Sequence, residues 1–147
     1  MGVAIFCPGI GACWRRDGVA RAGCHSRSEG TWSGKGKVII FGGHAHHPGT
    51  HSISPPTVRD IEMTLLVEGQ EGRLAWGQSS SANADTKEPF AWAMSSDNKS
   101  IIGSDTDGSF HITLLAPDRM EKCYTHTRLS PSGSIVAGCY PMERVKK

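Results

Sequence analysis

No stretch of this chain is apolar for the ~18 consecutive residues that a membrane-spanning helix requires. A period of 3.6 residues is missing too, so helices of any length are not expected. Net charge is small, at +2 over 147 residues. Most of it sits early: Arg15, Arg16, Arg21 and Arg27 against Asp17 leave residues 29–147 slightly acidic. A near-neutral domain lacks the basic footprint of a nucleic-acid binder. Several catalytic signatures are absent as well. There is no G-x-x-x-x-G-K-[ST] phosphate loop, no dinucleotide fingerprint and no G-x-S-x-G elbow. Gly34-Lys35-Gly36-Lys37 falls inside an extended segment, where it cannot cradle phosphate. An enzyme of the isomerase or cyclase type would need a polar pair deep in the interior, and the sequence does not announce one. No cofactor is implied.

What is present divides in two. Residues 1–28 are rich in Gly, Arg and Cys and follow no period. Their apolar part, Val3 to Trp14, is broken by Pro8 and precedes the arginines, the reverse of a secretory signal. Ile10-Gly11-Ala12-Cys13 matches a lipoprotein cleavage box only loosely. Three readings stay open for this leader: a flexible tail, an atypical export signal, or residues upstream of the true start.

Residues 29–147 read as one β domain. Extended segments alternate with Gly, Asp, Asn, Ser and Pro clusters. The expected strands are 31–42, 57–68, 72–80, 89–95, 99–106, 109–115, 119–127 and 134–145. About eight strands on short connections predict an all-β fold, a single antiparallel up-and-down barrel. The run from Ala116 to Met120 allows one helical turn at most.

Two hairpins predict register. Asp107-Gly108 suits a two-residue turn with positive φ at both positions, pairing Gly103 with Ile112 and Ile101 with Leu114. One face then carries Ile101, Phe110, Ile112 and Leu114. The other carries Ile102, Ser104, His111 and Thr113. A second turn centred on Pro131 sets Cys123 opposite Cys139, Lys122 opposite Tyr140, Tyr124 opposite Gly138 and His126 opposite Val136. Opposed Cβ atoms approach within about 4.5–5.5 Å, close to what a disulfide needs. The alternative is two buried thiols that face each other. A disulfide implies an oxidising compartment, hence a periplasmic or secreted protein. With five cysteines in all, at least one is free or pairs outside the chain.

Gly30-Thr31-Trp32 opens the first strand, and Arg144 lies in the last, on one face with Tyr140 and Met142. This resembles the calycin superfamily, which includes lipocalins, fatty-acid-binding proteins and avidins. The resemblance implies that Trp32 and Arg144 are structural closure residues, the arginine packed across the tryptophan. Avidins follow this motif with polar residues that hold biotin. Ser33 to Lys37 does not match them, so biotin binding is not implied. Lipocalins carry a helix after the barrel, for which the residues beyond Arg144 leave no segment. The likeness therefore concerns shape.

A barrel of this size is either filled by side chains or open to one small ligand. The candidate lumen residues are Trp76, Trp92, Lys122, Tyr124, His126 and Tyr140, aromatic walls with a few polar tips. They suit a small, partly polar molecule, and the competing expectation is a filled interior in a structural or protein-interaction barrel that works through its loops. His44, His46, His47 and His51 have the softness and spacing to hold Zn²⁺, Cu²⁺ or Ni²⁺, although their Gly- and Pro-rich loop would not preform a site. Asp105-Thr106-Asp107-Gly108 echoes a calcium loop, but its twelfth position is Ala116 where a bidentate Glu is required. Oligomeric state is not encoded in any pattern found.

Overall fold

The computed structural model describes residues 29–42, 55–82, 86–127 and 134–146. The leader and the histidine run at 44–51 lie outside the described residues. The strands are β1 (Gly30–Gly42), β2 (Thr57–Glu71), β3 (Leu74–Ser81), β4 (Lys87–Met94), β5 (Ser100–Ser104), β6 (Gly108–Ala116), β7 (Arg119–Thr127) and β8 (Ser134–Arg144). Each pairs antiparallel with the next, and β8 returns to β1, closing an up-and-down barrel. No helix occurs among the described residues, so none there is long and apolar enough to cross a membrane. The stretch from Ala116 to Met120 makes a strand turn and no helix, with Ala116 facing Arg119.

Alternation along the strands builds the interior. Trp32, Val38 and Ile40 point in from β1, and Leu65 and Val67 from β2. Phe90, Trp92 and Met94 do so from β4, Phe110 and Ile112 from β6, and Val136, Tyr140 and Met142 from β8. Each fully buried large apolar side chain contributes about 1.5–3 kcal/mol. Closure leaves no free strand edge. Inward glycines make room for the rings. A Cβ on Gly36 would stand 2.4 Å from Cβ of Tyr140, and one on Gly103 2.4 Å from the Phe110 ring.

Of the two hairpins, the last matches expectation pair for pair: Lys122↔Tyr140, Cys123↔Cys139, Tyr124↔Gly138 and His126↔Val136. Cys123 and Cys139 are joined, with S–S 2.08 Å. The β5–β6 hairpin differs. Ile101 pairs with Ile112 and Gly103 with Phe110, a slip of two residues from the expected register. The cause is Asp105. Its Oδ1 accepts the backbone N–H of Asp107 at 3.1 Å and of Gly108 at 2.8 Å, and its own N–H donates to the Gly108 carbonyl at 3.2 Å, so the reversal centres on Thr106-Asp107, one residue earlier than expected. A slip of two preserves faces, whereas a slip of one would have turned Phe110 and Ile112 outward. This side-chain turn also accounts for the calcium-like spelling of the segment.

Candidate functional site

The interior is layered along the barrel axis. At one end Trp32 is 1% exposed, and the Arg144 guanidinium carbon lies 4.6 Å from its ring centroid. Arg144 Nη1 also donates to the Glu29 carbonyl at 2.7 Å, and the Val145 N–H to the Thr31 carbonyl at 2.8 Å. Above this lid an aromatic layer fills the bore. Phe90 and Trp92 are 5.1 Å apart between centroids, and Phe110 meets both edge-on at 6.1 and 6.4 Å. Such pairs are the favoured ring geometries.

Lys122 rests on that layer. It is 1% exposed, and its Nζ lies 4.6 Å from the Phe110 centroid and 5.4 Å from the Tyr124 centroid. β7 places it there by alternation with Met120, Tyr124 and His126, which also face in. Beyond Lys122 the packing gives way to a cavity of about 50 Å³. Its walls are Val38, Ile61, Met63, Val136, Tyr124 and Tyr140, with Ser79, Ser80, Ser81, Thr86, Glu88 and Asp105 toward the mouth. About 10–15 Å³ of such space holds one water, so the cavity has room for roughly three to five. That is far below the ~300–1,000 Å³ of a drug-sized pocket.

The electrostatics are specific. Burial pushes the Lys122 ammonium down to about 8, and the charges of Asp105 and Glu88 act in the opposite direction. Burial, reinforced by the Asp105 charge, holds the phenols of Tyr124 and Tyr140 well above the usual tyrosine range. Both therefore remain neutral donors at physiological pH. The Tyr124 hydroxyl points at Asp105 Oδ1, 3.4 Å away, and Ser79 Oγ at the Glu88 carbonyl, also 3.4 Å away. Among the described residues Lys122 makes no ion pair; the two found, Lys35–Glu62 and Lys37–Asp60, are on the outer surface.

Of the residues expected in the lumen, Lys122, Tyr124 and Tyr140 meet at the cavity. Trp92 and His126 point inward and are buried, but neither lines it. Trp76 does not belong to the lumen at all. It is 49% exposed and lies on the outer face with Leu74. Phe90 and Trp92 already fill the bore beside β3, so small Ala75 and Gly77 face in and the bulky residues face out. A bulge between Val67 and Gly69 supports this, because Gly69 lies directly beneath the outward Trp76 ring. Sequence reasoning missed Ser79 and Glu88 as wall residues. Their signal was parity: Ser79 alternates with Ala75 and Gly77, and Glu88 with Phe90 and Trp92.

Among groups of three or more His, Cys, Asp or Glu in the described residues, none could hold a metal ion. No protein-family model matches the chain. No curated protein matches it either. Among solved structures, it is similar to the S-type phycobiliprotein lyase CPES from Guillardia theta. The two share 15% identity over 82% of this chain and 89% of that one, with a TM-score of 0.36.

Proposed function

We propose that this barrel binds one small, neutral, partly polar molecule in the cavity above Lys122. The observation that carries the reading is the contrast within one bore. One half is packed with aromatic rings, and the other holds a cavity ringed by a buried lysine, two tyrosine hydroxyls, serines and two carboxylates. A filled interaction barrel has no use for an ammonium held out of water, because burying a charge costs stability unless something compensates it. The carboxylates disfavour an anionic occupant, and Lys122 disfavours a cationic one. A ligand with one carbonyl or hydroxyl fits both. Export accompanies the reading, since the Cys123–Cys139 bridge suits an oxidising compartment.

Cavity size bounds affinity. About four non-hydrogen atoms fit, and the ceiling of about 1.5 kcal/mol per atom gives at best roughly 6 kcal/mol. That corresponds to a Kd of tens of micromolar, with millimolar values more typical of the class. The test is a ¹H–¹⁵N NMR titration of the full chain with propionamide and with 1-propanol, up to tens of millimolar. Saturable shifts at Lys122, Tyr124, Ser79 and Asp105 support the reading. Shifts that are linear and spread over the surface would reject it.

A second reading, a protein-interaction barrel, draws on the outer face. Ile102 stands exposed on a groove that includes Ala91, Ala93 and Gly103, and the exposed Leu74 and Trp76 pair with Ala93 and Ala91 beside it. Replacing Trp76 and Ile102 by Ser should leave the titration unchanged if the lumen is the working site.

A further inference from the structure

We propose that Lys122 captures small aldehydes covalently, as a Schiff base formed at the floor of the lumen cavity. This deepens the preceding reading and rests on it. Among the described residues Lys122 is the one amine on the cavity wall, its Nζ held over Phe110 at 4.6 Å and beside Tyr124 at 5.4 Å. A carbonyl compound of three or four heavy atoms that occupies the roughly 50 Å³ space has its carbonyl carbon confined next to that nitrogen. Confinement of this kind replaces a bimolecular encounter by an effectively intramolecular one.

The surrounding groups match what imine formation needs. The neutral amine attacks the carbonyl carbon, a C–N bond forms and the carbonyl π bond opens to an alkoxide. A proton moves from nitrogen to oxygen, giving a neutral carbinolamine. A second proton, from an acid on the wall, converts the hydroxyl to water. The C–O bond breaks, water leaves, and a protonated imine remains. Overall, one ammonium and one aldehyde give one iminium and one water, without an oxidant or reductant. Asp105 and Glu88 on the same wall are placed to shuttle these protons, with the Tyr124 hydroxyl aimed at Asp105. Their negative charge also suits the cationic product, because lysine and iminium carry the same +1.

Titration supports the placement. The titratable groups that share the cavity with Lys122 are Tyr124 on β7, Tyr140 on β8, Asp105 at the β5–β6 turn and Glu88 on β4, while His126 lies four residues further along β7. Burial outweighs the two carboxylates and brings the ammonium from 10.5 to about 8. At pH 7.5 roughly a quarter of such a lysine is the free amine, against about one in a thousand for an ordinary one. Desolvation in an apolar pocket is a recognised way to activate a lysine as a nucleophile.

The experiment uses the full chain with limiting propionaldehyde and sodium cyanoborohydride at pH 7.5, followed by peptide mapping. Lys122 should be propylated at least tenfold faster than the exposed Lys87 and Lys99. In denaturant that preference should vanish. Lys122→Met should lose the fast site and leave the slow ones unchanged. Labelling of Lys122 in the folded wild-type chain no faster than Lys87 or Lys99 overturns the proposal, with no variant needed. The propionamide titration separates the two claims. If propionamide saturates the cavity but Lys122 is not labelled, covalent capture fails and the binding site stands. If neither occurs, both fall.

Discussion

Replacing Lys122 by Met should make the protein more stable at neutral pH, which is the reverse of what removing a fully buried long side chain ordinarily does. Methionine keeps the length of the stem and its contacts over Phe110. What disappears is the cost of holding an ammonium out of water. The folded group releases its proton near 8 and the unfolded one near 10.5, a difference worth about 3 kcal/mol at low pH. The contact of the cation with the Phe110 and Tyr124 rings offsets about 1 kcal/mol of that. A net gain of about 2 kcal/mol is expected below pH 8. The sign follows from proton counts. Between pH 8 and 10.5 the unfolded lysine holds a proton that the folded one has lost, so wild-type stability rises with pH across that window. The advantage of the variant must therefore shrink from pH 8 upward. Above pH 10 the raised phenols of Tyr124 and Tyr140 work the other way, because the unfolded chain ionises them first and stability falls in both proteins. Urea unfolding of both proteins at pH 6, 7, 8, 9 and 9.5 measures the difference, with equal m-values confirming comparable states. A variant less stable than the parent at pH 6, or a difference that does not change with pH, would refute the argument that Lys122 is buried at a cost.

Three further outcomes follow from the geometry. The Cys123→Ser, Cys139→Ser double variant should lose about 3 kcal/mol, the entropy of a closed loop near its 16-residue separation, yet keep propionamide affinity in its folded fraction, because the bridge lies outside the barrel. Arg144→Ala should cost about 1–2 kcal/mol in thermal or urea unfolding through the lost contact with Trp32 and the lost bond to the Glu29 carbonyl, again without moving the cavity signals. Trp92→Ala should cost about 3–5 kcal/mol, whereas Trp76→Ala should stay within about 1 kcal/mol; comparable losses would mean that the assignment of β3 faces is inverted.

Much of the fold was legible because strand alternation and turn chemistry are local. The register expected for a turn centred on Pro131 is the one every pair of the last hairpin shows, and with it come the outward cysteines and inward tyrosines. The β5–β6 turn lies one residue earlier than Asp-Gly, a strong two-residue turn signal, implies, because the competing bonds from the Asp105 carboxylate are visible only in three dimensions. Trp76 was misplaced for a different reason. Hydrophobicity favours a tryptophan inside, but a bore of fixed width was already taken by Phe90 and Trp92 on the neighbouring strand. Volume is a property of several strands at once, and no single strand reports it. The same holds for the cavity. Lys122, Tyr124 and Tyr140 share a face by counting, but the convergence of Glu88 and Asp105 on them depends on barrel closure.

That closure has a kinetic side. β1 and β8 hold one register in two separate runs, Trp32–Gly34 against Met142–Arg144 and Ile39–Gly42 against Ser134–Ala137. Between them lies a stretch without ladder pairs, where Pro141 has no N–H to give. Every other seam joins neighbours in the chain, while this one joins segments roughly 100 residues apart, the kind of contact that forms late. The seam is thus the last to zip and its ladder is interrupted, and Val38 and Tyr140, which lie within the interruption, are walls of the cavity. Breathing of this seam would give a guest a way in through the side of the barrel, so amide exchange along Lys35–Val38 should report how often that wall opens.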